Sequence, residues 1–151
     1  MDIKIVSNNR KAGFEYYLLE RFEAGISLRG TEIKSIRSGQ ISLAEAYVSV
    51  NEKEAWLINA HIAPYDPASR YNHDPKRPRR LLLHRKEIRE LWDEVRQKGV
   101  TIVPIKVYLK DGRAKLEIAI AKGKKLYDKR AEMEKRDTQR EMERQFHNRV
   151  N

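Results

Sequence analysis

Residues 16–28 read Tyr-Tyr-Leu-Leu-Glu-Arg-Phe-Glu-Ala-Gly-Ile-Ser-Leu. The even positions are Tyr16, Leu18, Glu20, Phe22, Ala24, Ile26 and Leu28, apolar in all but Glu20, while the odd positions include Arg21, Glu23 and Ser27. A period of two sends successive side chains to opposite faces, so this is a long strand with one buried face. Gly25 lacks a Cβ and offers a place for the strand to bend or bulge.

The same alternation recurs on either side. Ala44–Val50 carries Ala44, Ala46, Val48 and Val50 on one face. Trp56–Ile62 carries Trp56, Ile58, Ala60 and Ile62, with Asn59 and His61 opposite; the polar link 51–53 joins these two strands as a short hairpin. Downstream, Thr101, Val103, Ile105, Val107 and Leu109 form one face, with Lys106 and Lys110 on the other. Asp111-Gly112 then fits a two-residue type I′ turn, because both positions tolerate positive φ. Ala114, Leu116, Ile118 and Ile120 are the buried face of the next strand, and Lys115 and Glu117 point out. Two segments have helical spacing instead. Ile88, Leu91, Trp92 and Val95 predict an amphipathic helix over His84–Lys98, closed by Gly99. Thr31 is placed to cap a short helix through Arg37 that buries Ile33 and Ile36 and stops at Gly39.

Leaving the short helix aside, three strands, a helix and two strands follow in order. That is the order of a five-stranded OB-type barrel, a mainly β, antiparallel architecture with two to three helices. Closure also removes the sheet edges that such strands would expose. An open α+β sheet with the helix on one face is the competing arrangement. Residues 1–125 are expected to form this domain. From Leu126 to Asn151 the chain has no Gly or Pro and is rich in Glu, Lys, Arg and Gln. Its propensity is helical, but Met142, Phe146 and Val150 make too thin a stripe to hold a helix against a core. The segment reads as a basic tail, disordered when free and helical when something binds it.

The chain has 151 residues, 32 Lys+Arg against 22 Asp+Glu, a formal net charge of +10 and no cysteine. The charge points to a polyanionic partner. The missing cysteine excludes disulfides and thiolate metal sites. No signal-peptide run and no membrane-length apolar stretch is present, so a cytoplasmic, membrane-free monomer is expected.

Three basic clusters stand out. Residues 70–89 hold Arg70, Lys76, Arg77, Arg79, Arg80, Arg85, Lys86 and Arg89 against Asp74 and Glu87. Pro75 and Pro78 keep the first half out of regular structure, and Tyr71 sets an aromatic beside the cations. Such a loop suits phosphates and an unstacked base. Lys122-Gly123-Lys124-Lys125 follows the last strand, and Arg10-Lys11 precedes the first; together the three are expected to line one concave face. The basic cluster after the last strand is not a P-loop. Enzyme readings find little footing. No serine sits in a G-x-S-x-G elbow, and His61, Asp66, His73 and Asp74 have no metal-ligand spacing. No cofactor is expected. A metal nuclease built on those four residues, and a general ribosomal or single-strand-binding OB protein, are the rival readings.

Several stretches together carry a resemblance. They are residues 9–12 (Asn-Arg-Lys-Ala), 22–25 (Phe-Glu-Ala-Gly), 30–35 (Gly-Thr-Glu-Ile-Lys-Ser), 59–62 (Asn-Ala-His-Ile), 72–75 (Asn-His-Asp-Pro), 81–83 (Leu-Leu-Leu) and 121–125 (Ala-Lys-Gly-Lys-Lys), followed by Asp128, Lys129 and Arg130. From about residue 8 to 130 the chain resembles the bacterial SsrA-binding protein (small protein B) family. The resemblance implies an OB-type barrel that binds the tRNA-like domain of transfer-messenger RNA. It implies delivery of that RNA to stalled ribosomes for trans-translation. The partners are then that RNA and the decoding centre and mRNA channel of the small subunit, the tail folding as a helix in the vacant mRNA path. Glu23, Leu82 and His84 match family positions tied to RNA binding. Lys34, Asn59 and His61 lie within the matching motifs. With Arg10, Lys11, Phe14, Arg79, Arg80, Lys122, Gly123, Lys124 and Lys125 they make the expected RNA-binding set. Asp128, Lys129, Arg130, Lys135, Arg136 and Arg140 make the expected ribosome-contacting tail. The chain departs from the family at Gly13, often arginine, and at Phe14, often histidine; Phe14 retains a ring for stacking. Thr138 stands about where some members carry an aromatic.

Overall fold

The computed structural model describes residues 2–65, 72–124 and Arg140. In chain order the elements are β1 (Ile3–Asn8), α1 (Arg10–Glu15), β2 (Tyr16–Ile26), α2 (Gly30–Arg37), β3 (Ile41–Ser42), β4 (Tyr47–Val50), β5 (Ala55–Ile58), β6 (His61–Ile62), β7 (Arg79–Leu82), α3 (Arg85–Lys98), β8 (Thr101–Lys110) and β9 (Arg113–Gly123). The large sheet runs β1-β8-β4-β5-β7-β2-β9, and β9 pairs back onto β8. All pairings are antiparallel, so β8, β4, β5, β7, β2 and β9 close a barrel. β1 lies on the remaining length of β8, and β3 and β6 form a separate two-stranded sheet.

The interior is filled as the alternation requires. Phe22, Ala24 and Ile26 of β2 meet Leu57, Leu81, Ile102, Val107, Leu116, Ile118 and Ile120. The β8–β9 turn uses Asp111 and Gly112, both at positive φ. α3 begins after His84, whose backbone N–H donates to Glu87 Oε1 at 3.0 Å, and ends at Gly99.

The departures from the sequence pattern have local causes. The strand expected over Trp56–Ile62 is cut at Asn59, which has φ 62°. The break shifts the phase: Ala55 and Leu57 face the core before it, Ala60 and Ile62 after it. In β8 the register with β9 slips between Pro104 and Lys106. One extra residue flips the faces. Ile102 and Val107 therefore enter the main core, while Val103 joins Ala12 and Ala121 in a second cluster beneath α1. Proline cannot donate to the ladder, so a bulge is where it belongs. Asn9 secures the bulge, its side-chain amide donating to Pro104 O at 2.9 Å and its backbone N–H to Ile105 O at 2.7 Å. The irregularity in β2 falls between Leu18 and Arg21 rather than at Gly25. Thr31 does not cap α2; Glu32 closes the first turn by accepting from the Arg29 N–H at 2.8 Å.

The largest departure is β7. Residues 79–82 were expected within a flexible basic loop, yet they supply the strand that joins β5 to β2. Arg79 points inward and is fully buried, as is Glu32 of α2. Arg79 Nε donates to Glu32 Oε2 at 2.6 Å, and Nη1 donates to Ala60 O at 2.7 Å. Nη2 donates to Pro75 O at 3.1 Å. Arg77 donates to the other Glu32 oxygen. His73, also buried, lies 2.9 Å from both Thr31 Oγ1 and Ile62 O. A carbonyl only accepts, so Nε2 carries the proton that reaches Ile62, and Nδ1 hydrogen-bonds with the Thr31 hydroxyl. Residues 73–79 are thereby bound to α2 and β6 by buried polar groups.

Burial pushes the Glu32 carboxyl up, but the Arg77, Arg29 N–H and Arg79 contacts outweigh it and hold the group below its ordinary value. A depressed carboxyl stabilises the fold above its unfolded-state value and loses that contribution as pH falls through the folded value. Removing one partner of a buried pair leaves the other charge unpaired, so Arg79→Ala should cost about 3–5 kcal/mol in urea unfolding at pH 7. The Glu32→Leu/Arg79→Met double variant should recover much of that loss. Wild-type stability should decline below about pH 4.5, more steeply than that of the double variant.

Candidate nucleic-acid interface

The expected RNA-binding residues fall mainly into two groups at opposite ends of β2. At one end Tyr16 pairs with Gly123 and Tyr17 with Lys122. The backbone N–H of Lys124 donates to Glu15 O at 2.9 Å, its Nζ donates to Gly13 O at 3.2 Å, and the same Nζ lies 5.0 Å from the Tyr17 ring. Exposed Arg10 and Lys11 lie on α1 with half-buried Phe14, so this end gathers Arg10, Lys11, Phe14, Lys122, Gly123 and Lys124. Lys11 is only loosely engaged, 3.7 Å from Glu45.

At the other end Gly25 pairs with Leu82. Nine residues separate Tyr16 from Gly25, about 30 Å of strand. Arg80, Arg85 and Arg89 therefore lie near one end of β2 and Arg10, Lys11, Lys122 and Lys124 near the other, against the expectation that the three clusters line one concave face. Leu82 is 57% exposed, large for a leucine in a strand. Arg80 points outward, 4.0 Å from Glu54. Exposed His84, at the N-cap of α3, leads into Arg85 and Arg89. With Trp92, Arg96 and the β4–β5 turn, Arg80, Arg85 and Arg89 line a groove of about 890 Å³. Arg96 is paired with Asp93 at 2.8 Å. Arg85 and Arg89 have no ion-pair partner among the described residues.

Glu23 lies on the outer face of β2, two residues from Gly25. Tyr108 donates its hydroxyl to Glu23 Oε2, and Lys110 Nζ lies 3.5 Å from Oε1. The Tyr108 hydrogen bond, helped by Lys110 and Lys115, holds Glu23 below the usual carboxylate range. Tyr108 is pushed up in turn, by burial first and then by Glu23, so it stays a donor. Sequence reading missed Tyr108, Lys110 and Lys115 as neighbours of Glu23. Only the pairing of β2 with β9, and of β9 with β8, brings them across.

The remaining expected residues lie elsewhere. Lys34 is exposed on α2, 5.5 Å from the Tyr65 ring. Asn59 and His61 are exposed beside the β3–β6 sheet. Arg79 is the clear correction: its guanidinium is fully buried and engaged with Glu32, so it anchors β7 and presents nothing at the surface. Lys125, Asp128, Lys129, Arg130, Lys135 and Arg136 lie outside the described residues, as does Asp66. Arg140 is helical and exposed. Of the other residues drawn into a nuclease cluster, His73 has both ring nitrogens engaged. Among the described residues no group of three or more His, Cys, Asp or Glu is placed to hold a metal, and no helix is long and apolar enough to cross a membrane.

The SmpB protein family model matches residues 6–148. The chain belongs to the SmpB protein family. The SsrA-binding protein of Carboxydothermus hydrogenoformans is 53% identical over 140 residues, covering 93% of this chain and 94% of that one. That of a Sulfurihydrogenibium species is 50% identical over 150 residues, covering 99% of each. A chain in a solved structure described as "tmRNA-SmpB: a journey to the center of the bacterial ribosome" is 45% identical. It superposes with a TM-score of 0.67 over 80% of this chain and 85% of that one. Both relatives are named for binding SsrA.

Arg85 and Arg89 support no described ion pair, so replacing both with glutamine should leave the thermal midpoint nearly unchanged. If both meet phosphates, RNA affinity should fall, and the log–log salt slope should drop by about 1–2 in a potassium chloride titration.

Proposed function

We propose that this protein binds the tRNA-like domain of transfer-messenger RNA and delivers it to stalled ribosomes for trans-translation, without catalysing a reaction itself. The observation that carries this reading is the gathering of Glu23, Leu82 and His84 at one end of β2, beside Arg80, Arg85 and Arg89. The relatives are named for binding SsrA, and the resemblance to their family ties Glu23, Leu82 and His84 to that role. Cations hold the phosphates there, and the apolar and hydrogen-bonding groups between them give the grip its shape and register.

The second group, with Arg10, Lys11, Phe14, Lys122, Gly123 and Lys124, lies at the far end, where residues 125–151 begin. This group belongs to the expected RNA-binding set, and we assign the tail to the small subunit. Phe14 there offers a face for a base, worth about 1–3 kcal/mol of stacking. The tail, with Asp128, Lys129, Arg130, Lys135, Arg136 and Arg140, occupies the vacant mRNA path as a helix, so a filled path excludes it. Residues 1–125 are then the RNA-binding domain and 126–151 a separate functional segment. The protein works in the cytoplasm as a monomer.

Gel shifts with the isolated tRNA-like domain should show tight binding that survives a large excess of bulk RNA. Equal affinity for an unrelated duplex, or for unstructured RNA, would replace this reading with that of a general OB-type RNA binder. Truncation after Lys125 should preserve RNA binding and abolish tagging on stalled ribosomes. Normal tagging by the truncated protein would remove the tail from the mechanism.

A further inference from the structure

One edge of the sheet is left open. β1 pairs with β8 alone, and among the described residues no strand pairs with its other side. In an antiparallel ladder the N–H and C=O of one residue point one way, and those of the next residue point the other. The Asp111 N–H donates to Asp2 O at 3.0 Å, so Asp2 faces β8. Lys4 shares that direction. The N–H and C=O of Ile3 and of Ile5 therefore point to the open side. Such an edge is a template for a further strand, and proteins blunt it with proline, charge or a bulge. β1 has no proline and its bulge lies past Ile5, so Lys4 alone guards the stretch from Ile3 to Ile5.

The side chains along this edge are as open as its backbone. Ile3 is 58% exposed, the most exposed large apolar side chain among the described residues, and Ile5 is 50% exposed. Next to the edge a notch of about 200 Å³ is lined by Lys4, Ile5 and Val6 and, at the end of α2, by Arg37, Ser38 and Gly39. It holds two cations and no carboxylate. Arg37 donates one N–H to Gly112 O at 3.2 Å. Neither Lys4 nor Arg37 has an ion-pair partner among the described residues.

These features select among occupants. Two cations attract a phosphate, but the carbonyls that alternate with N–H groups along the edge repel one, and isoleucine gives a base no ring to stack on. A polypeptide strand offers a donor and an acceptor at every second residue. A second copy of this chain would bring another net charge of +10 to the same edge, with its own Lys4 and Arg37 at the contact. We propose that the open edge of β1 docks a second protein, through an extended acidic segment that adds to the sheet as a further strand. Its backbone pairs with Ile3 and Ile5. Its apolar side chains lie against those two isoleucines, and its alternate carboxylates meet Lys4 and Arg37. The site adds a protein partner to an RNA-binding protein, on a strand that carries none of the expected RNA-binding residues.

The probe is the peptide acetyl-Thr-Val-Glu-Val-Glu-Val-Thr-amide, compared with its counterpart carrying lysine in place of both glutamates. Each is titrated into full-length, isotope-labelled protein, free and bound to the tRNA-like domain of transfer-messenger RNA, with amide shifts and hydrogen exchange read by NMR. The glutamate peptide should bind saturably in both states and slow exchange at the Ile3 and Ile5 amides by roughly tenfold or more. The Lys4 amide, already turned to β8, should change less. The lysine peptide should bind roughly tenfold more weakly, and the Lys4→Glu/Arg37→Glu double variant should reverse that preference. N-methylation of alternate peptide residues should abolish binding in one phase and spare it in the other, because only one set of N–H groups faces β1. Ile3→Pro removes an outward N–H and leaves the β8 ladder intact. It should lose the peptide while keeping the thermal midpoint and RNA affinity. Equal binding of the two peptides, or shifts that spare Ile3 and Ile5, would overturn the proposal with wild-type protein alone. Slowed exchange at Ile3 and Ile5 that rises with protein concentration, without peptide, would assign the edge to a second copy and overturn it too. Slowing brought about by the RNA alone would do the same in favour of nucleic acid.

Discussion

Two opposite charges buried away from solvent hold this barrel shut. Glu32 on α2 and Arg79 on β7 are each fully buried, and each finds its compensation in the other and in backbone groups around them. Such a pair adds little net stability over apolar residues of equal volume, but it punishes any arrangement that separates its members. It therefore acts on register. With Arg79 inward, strand geometry sends Arg80 and Leu82 outward and Leu81 into the core. The outward residues are the ones that meet RNA in the proposed reading. A polar interior contact thus determines which side chains reach the surface.

The same logic explains which parts of the architecture were readable beforehand. β2, β9 and α3 were visible because each shows a long apolar period, and β8 because its apolar residues continue on both sides of the bulge; the Asp111-Gly112 turn and Gly99 end mark their limits. β7 was invisible because Arg79-Arg80-Leu81-Leu82 carries no apolar alternation. An arginine occupies a core position, and only tertiary pairing with Glu32 makes that tolerable. Phase errors arose where one residue changed the rule. Asn59 adopts the left-handed region, and Pro104 sits in a bulge, so alternation read straight through either point assigns faces wrongly. β1 and α1 were missed because Val6 is only half-buried and α1 buries little beyond Ala12.

Candidate-site residues were legible by type and less so by place. Composition identified basic clusters, and the family resemblance singled out Glu23, Leu82 and His84. Neither could show that the clusters separate along β2, since the separation depends on which strand pairs with which. Nor could they show that Arg79 turns inward or that Tyr108 holds Glu23. These are properties of three-dimensional neighbours drawn from distant parts of the chain, with Glu23 and Tyr108 lying 85 residues apart.

The bulge at Pro104–Lys106 divides the apolar interior into two compartments. Ile102 and Val107 belong to the larger one, while Val103 belongs with Ala12 and Ala121 to a small one under α1. Tightly packed interiors transmit a change of volume to whatever they touch, and here β8 stands between the compartments as a partition. A change of volume beneath Gly13 and Phe14 reaches the larger compartment only through β8 and β9, whose adjacent residues Ile102 and Ile120 belong to it, so these two strands carry any mechanical conversation between the ends of the barrel.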